Sequence, residues 1–252
     1  MSTPIFDIKR QAARVAACLF FCLALAGCGG VLGAVAPAPA EIAVTSDLIV
    51  VTGPEGYCVD PTATRNSDDT GFVLLGNCAA IANSGGAAQP AVPAVLTAAV
   101  SEPSDGGRLA DSMADLDTFF RSEDGLRLIS RTGDASTVTV LDTAVEGDVF
   151  LLHASDSSAA AIDGVQGDYW RAYLDVGNRI ATLSVLALED RALSRDDSLV
   201  TLREFISAVQ AANAGPEPPA AVSVAPDQPA PAAAAPGGRR LFNVGLFRRI
   251  LG

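Results

Sequence analysis

His153, in the stretch DVFLLHASD, is the chain's single histidine and its one candidate for general acid–base work near neutral pH. On a strand it shares a face with Val149 and Leu151, which makes it a partly buried histidine near a strand end. A lone imidazole makes no zinc site, which wants three or four N/S ligands. Ser155 and Asp156 are its neighbours, yet a catalytic triad does not converge from residues merely adjacent in sequence. The sequence holds no G-x-S-x-G, no G-x-x-x-x-G-K-[ST] and no G-x-G-x-x-G opening a helix. These absences point to a non-enzymatic protein with no catalytic residue, no metal and no cofactor.

Two other groupings have chemical character. Asn66, Asp68 and Asp69 lie in one polar loop, and Ser155, Asp156 and Asp163 in another, offering the oxygen ligands that calcium prefers. Neither stretch follows the D-x-[DN]-x-[DN]-G ladder, so solvated loop charge is the expectation and a calcium- or ligand-binding module the alternative. The stretch DYWRAY, from Asp168 to Tyr173, concentrates the only tryptophan and two of three tyrosines. As a strand it turns Trp170, Ala172 and Leu174 to one side and Arg171, Tyr173 and Asp175 to the other. The Trp side is core. Arg171 and Tyr173 form a candidate recognition surface, because tyrosine and arginine are favoured at binding hot spots. Plain burial is the alternative.

The first 27 residues say where the chain goes. Lys9, Arg10 and Arg14 make a positive n-region ahead of an apolar run from Val15 to Ala26. That is signal-peptide anatomy, and the run falls short of the roughly 20 residues a membrane-spanning helix needs. The run closes on Leu25-Ala26-Gly27-Cys28, which resembles the lipobox of bacterial lipoproteins. The resemblance implies cleavage before Cys28, a diacylglycerol thioether on its sulfur and, usually, palmitate-type acylation of the freed amine. Cys18 and Cys22 leave with the signal. Three acyl chains, at about 0.8 kcal/mol per buried methylene, make such an anchor effectively permanent. Gly29 and Gly30 stand where bacterial lipoproteins retained in the inner membrane commonly carry an aspartate. The resemblance therefore implies a lipid-anchored, periplasm-facing envelope protein, with the outer membrane favoured over the inner.

Export places Cys58 and Cys78 in an oxidising compartment, where a surviving pair usually bridges. No Cys-x-x-Cys spacing argues for redox work, so a structural disulfide is expected across the polar stretch TATRNSDDTG. Beyond residue 27 the chain carries 14 arginines, no lysine and 28 acids. So acidic a protein is a poor partner for nucleic acid, whose phosphates demand basic stripes.

Composition divides the chain into a signal peptide over 1–27, a lipidated flexible tether over 28–40, and a globular domain over 41–213. A disordered Pro/Ala-rich linker over 214–238 and a basic hydrophobic tail over 239–252 follow. The tail holds Arg239, Arg240, Phe242, Leu246, Phe247, Arg248 and Arg249. A basic, greasy segment on a long linker suits docking to an anionic lipid surface or to the groove of an envelope protein, with self-association onto the acidic domain as the alternative.

Within the domain, short apolar runs bounded by Gly, Pro, Asn and Asp predict strands over 48–52, 71–75, 94–100, 126–131, 137–142, 148–154, 170–176 and 179–188. Gly177-Asn178 suits a tight hairpin between the last two. Leu109, Met113, Leu116 and Phe120 mark one face of a helix over 108–121. Ser194, with Asp197 three residues on, opens a second helix striped by Leu199, Leu202, Phe205, Ile206 and Val209. The expected fold is α+β: a single antiparallel sheet with amphipathic helices packed on one face. Its layout resembles small exported α+β domains such as the photosystem PsbP-like group, in layout alone, and carries over no residue or function.

Overall fold

The computed structural model describes residues 37–104, 107–158, 162 and 164–215. Ten strands and four α-helices form in the order β1 (Glu41–Val44), β2 (Ile49–Thr52), β3 (Tyr57–Val59), β4 (Arg65–Asn66), β5 (Gly71–Asn77), α1 (Cys78–Ile81), β6 (Ala94–Val100), α2 (Met113–Arg121), α3 (Glu123–Ile129), β7 (Val138–Glu146), β8 (Val149–Asp156), β9 (Val165–Val176), β10 (Arg179–Leu188) and α4 (Arg195–Asn213). A 3₁₀ turn over Leu109–Ser112 leads into α2. The protein is α+β, built on one large antiparallel sheet. Eight strands run β3-β5-β6-β10-β9-β8-β7, with β4 also against β5, and β1 and β2 form a separate two-stranded ribbon.

Alternation along the strands sorts the core into two layers. Val73, Leu75, Leu96, Ala98, Leu151, Trp170, Ala172, Leu183 and Val185 face one way and meet Leu202, Phe205, Ile206 and Val209 of α4. Ser194 caps this helix by accepting the Asp197 N–H, as the sequence predicts. At the far end Asn213 grips the β2 backbone twice, accepting from Val50 N at 2.9 Å and donating to Val50 O at 2.7 Å.

The expectation that helices sit on one face is corrected. Phe150, Leu152, Tyr169, Tyr173 and Ile180 point to the opposite face and pack with Leu116 and Phe120 of α2 and Ile129 of α3. A strand buried on both sides loses its alternation, and β10 is accordingly buried along nearly its whole length. The expected strand over 126–131 is also corrected: Leu126 to Ile129 belong to α3. Ser122 accepts the Gly125 N–H, and the Glu123–Arg127 pair closes one helical turn, so local capping outweighs the apolar run. Gly125 is required there, since a Cβ would sit 2.0 Å from the Phe119 carbonyl.

Two fastenings hold the amino-terminal strands. Cys58 and Cys78 form a disulfide, with Cα atoms 4.8 Å apart and 20 residues between them in sequence. Closing such a loop contributes on the order of 3 kcal/mol by restricting the unfolded chain. The second is Arg179, at the start of β10, whose side chain is 1% exposed. Its Nε donates to Asp47 Oδ2 at 2.6 Å and its Nη1 to Ser101 O at 2.8 Å and to Asp69 O. Its Nη2 reaches Asp68 O at 3.3 Å and Ser46 Oγ at 3.4 Å. One guanidinium thus joins the β1–β2 turn, the β4–β5 turn and the end of β6.

Candidate functional site

The sheet's second face is covered unevenly. Helices α2 and α3 pack over β7, and the 3₁₀ turn before them packs on β9. Strands β5 and β6 instead alternate buried and half-buried residues, with Phe72, Leu74, Val95, Thr97 and Ala99 half-buried on this side. Hairpin register aligns two rows of side chains between the covered and uncovered parts. One row reads Arg171, Ser184, Thr97, Leu74 and the other Tyr173, Thr182, Ala99, Phe72. Each row crosses from β9 to β5, three strand spacings or roughly 14 Å. Small residues in the middle and large ones at either end give the rows the outline of a trough: Ser184 and Thr182, 2% and 4% exposed, and the half-buried Thr97 and Ala99 are its floor. Arg171 and Tyr173 form one wall, and Leu74 and Phe72 the other.

The strands reach this register because β9 and β10 are joined by a two-residue turn in which Gly177 takes φ +62°. Glycine in the first central position is what a tight hairpin turn of this kind needs. Sequence reasoning singles out Arg171 and Tyr173, and both lie on one face in the first wall. It does not reach Thr182, Ser184, Thr97 or Ala99, whose places depend on strand pairing rather than on any motif.

The electrostatics of that wall are unbalanced. Arg171 donates through Nε to Ser184 Oγ at 3.0 Å, and its guanidinium lies over the Tyr169 ring, 4.7 Å from the centroid. No carboxylate among the described residues comes within ion-pair distance of it. Tyr173 stacks on Phe120 with ring centroids 4.8 Å apart. Burial raises its phenol to about 12 even though the neighbouring Arg171 charge pulls it down. Its hydroxyl is buried beside the Arg171 guanidinium, which favours its ionised form by charge and by hydrogen bonding, and Thr182 Oγ1 is buried without a hydrogen-bond partner among the described residues. Tyr173 is 1% and Thr182 4% exposed. A buried polar group left without a partner costs about 1–3 kcal/mol, a cost that falls on the Thr182 hydroxyl.

The other expected chemistry resolves into structure. His153 is buried, lies flat against Trp170 at 4.6 Å and 6°, and contacts Asp168 Oδ1 through Nε2 at 2.8 Å. Ser155 is aligned with Asp168 across β8 and β9 rather than with His153. Asp156 is enclosed, and burial raises its carboxyl. The N–H groups of Arg131 and Ser158 more than offset this and hold it below the usual range. Asp68 and Asp69 offer backbone carbonyls to Arg179. Among the described residues, no three His, Cys, Asp or Glu side chains gather as a metal site. No helix among the described residues is long and apolar enough to cross a membrane. Cys28 and the tail from Arg239 to Gly252 lie outside the described residues.

Compared with protein-family models, curated proteins and solved structures, the chain matches none.

Thr182→Val should leave stability unchanged or raise it by about 1 kcal/mol, because it removes an unpartnered hydroxyl at constant volume. Thr201→Val, at an equally buried hydroxyl that donates to Asp197 O at 2.8 Å, should cost about 1 kcal/mol. Urea unfolding of the two variants measures the difference, and equal losses would mean that the Thr182 hydroxyl has a partner.

Proposed function

We propose that the protein is a lipid-anchored, non-enzymatic component of the bacterial cell envelope that holds a partner group or ligand in the β9–β5 trough. The single observation that carries this reading is the Arg171 cation on the sheet's second face, which has no carboxylate within ion-pair distance among the described residues. A cation without an ion-pair partner suits a binding site, which needs groups held ready to donate. The lipobox at Cys28 supports attachment to the membrane, and Gly29 and Gly30 favour the outer one. The tail residues Arg239, Arg240, Phe242, Leu246, Phe247, Arg248 and Arg249 serve as a second contact, to an anionic lipid surface or an envelope protein. Adaptor or assembly work fits this plan best: the lipid sets the place, the linker the reach and the trough the selectivity.

Replacing Cys28 by serine should abolish incorporation of labelled palmitate and leave the precursor unprocessed; a labelled Cys28→Ser protein would remove the anchor from the account. In cells, a photo-crosslinking amino acid placed at Leu74, on the trough wall, should give a discrete adduct. The same group at Val200, 49% exposed on the outer side of α4, should not. Adducts of equal yield at both positions, or none at either, would contradict a binding role for the trough.

A further inference from the structure

We infer that the outer edge of β7 is an interface that pairs antiparallel with β7 of a second copy of this chain, about a two-fold axis at Ala144. β7 ends the strand order of the large sheet, and no described strand lies against its outer side. It runs nine residues, whereas β3 at the opposite end runs three. A long open edge is a template for another strand unless proline, lysine or an unpaired charge blunts it. β7 reads VTVLDTAVE, with no proline and no lysine. Leu141 and Val145, 48% and 51% exposed, are two of the four large apolar side chains left exposed among the described residues. The bulge falls at Leu141, which has no partner on β8, and the stretch after it, Asp142 to Glu146, keeps regular register. The two-residue turn at Gly147 and Asp148 closes on the Glu146–Val149 pair, so alternation turns the backbone N–H and C=O groups of Thr143 and Val145 outward. Thr143 N–H accordingly meets Asp142 Oδ1 at 2.9 Å.

What the edge presents selects its occupant. Asp142 is paired with Arg195 and Glu146 with Arg203, both from α4. Hydrogen bonding from Arg203 holds the Glu146 carboxyl below its usual range. A basic partner would therefore find no free acid from Asp142 to Glu146, and an acidic partner no free cation. Backbone groups and β-branched side chains remain, and the same stretch reversed satisfies both. Asp142-Thr143-Ala144-Val145-Glu146 reads acid, β-branched, alanine, β-branched, acid from either end, the self-complementarity that a two-fold contact requires. Turned about Ala144, Thr143 of each copy lies opposite Val145 of the other, and the two exchange N–H···O=C bonds. The two Ala144 residues face each other, where small side chains permit close approach. Asp142 comes opposite Glu146, but each brings its own arginine, so the four side chains carry no net charge. Residues 29–214 carry ten arginines against 26 acids, so two copies repel at long range. Those ion pairs exist within each copy before contact, so salt acts chiefly on the repulsion and tightens the pairing.

The test is disulfide trapping of the full chain in cells, with Ala144→Cys on the axis. Thr139→Cys, also exposed on β7 but far from its own copy in this register, is the control. On a non-reducing gel Ala144→Cys should run as a covalent dimer and Thr139→Cys as a monomer. Adding Val145→Pro, which removes an outward N–H that β8 does not use, should cut the Ala144→Cys dimer about 10-fold. Should the proline variant fail to fold, Val145→Asp, at a half-exposed position, serves instead with the same expected loss. Sedimentation equilibrium of the purified full chain in detergent, with Ala144 intact, gives the salt dependence. The dimer dissociation constant should fall about 3-fold or more between about 0.05 M and about 0.5 M salt. A monomer at every concentration, equal linking at positions 144 and 139, linking unchanged by the Val145 variants, or a dimer that salt weakens would each overturn the pairing.

Discussion

Arg179 is the interaction on which the rest of the domain depends. A guanidinium this deeply enclosed is tolerated only when its donors are met, and here one carboxylate, three backbone carbonyls and a hydroxyl surround it. The partners come from three separate stretches of the chain, so the contact closes long loops that have little apolar content of their own. Asp47 lies in the β1–β2 turn between Thr45 and Leu48, both at positive φ, a conformation that a turn keeps only when something fixes it. Once that turn is fixed, the ribbon can lie beside α4, and Asn213 can tie the end of α4 to Val50. The first face of the sheet is completed in this way.

Arg171 lies one strand away, on β9, and is the opposite case. It has the Ser184 and Tyr173 hydroxyls and the Tyr169 ring about it, and no carboxylate among the described residues lies within ion-pair distance. The same side-chain type, in the same sheet, is thus used once to complete the fold and once beyond what the fold requires. The difference follows from coverage. Helices α2 and α3 lie over β7, and the 3₁₀ turn reaches β9, so the second face is built up only on that side. Toward β6 and β5 the residues on this face become half-buried, while Ser184 and Thr182 on β10 stay 2% and 4% exposed.

Most of the sheet is legible in the sequence because its strands are long, apolar and separated by strong turn signals. Gly177-Asn178 marks the central hairpin, and Ser194 with Asp197 marks the start of α4. The disulfide joins the two cysteines that the sequence leaves beyond the leader-like first 28 residues. Elements that escape notice are short ones: β1, β3 and β4 are four residues or fewer, and the Arg179 contacts and the disulfide fasten the chain beside or within them. The run from Leu126 to Ile129 reads as a strand by composition, and only the Ser122 cap makes it helical. As for the site, alternation places Arg171 and Tyr173 on one face, but Thr182, Ser184, Thr97 and Ala99 join them through register, which no single segment encodes. Both faces being covered is likewise a property of the assembled sheet, since near-continuous apolar strands such as β10 can serve either arrangement.

The central claim is that Arg179 holds the structure together while Arg171, which has no ion-pair partner among the described residues, does not. The direct measurement is the unfolding free energy of Arg179→Met and Arg171→Met, compared side by side in ligand-free protein by urea denaturation. Arg179→Met should lose about 2–4 kcal/mol, because it strands Asp47 and several enclosed carbonyls. Arg171→Met should lie within about 1 kcal/mol of the parent or above it, because it removes a desolvated charge that has no carboxylate within ion-pair distance. A loss from Arg171→Met as large as that from Arg179→Met would contradict the account.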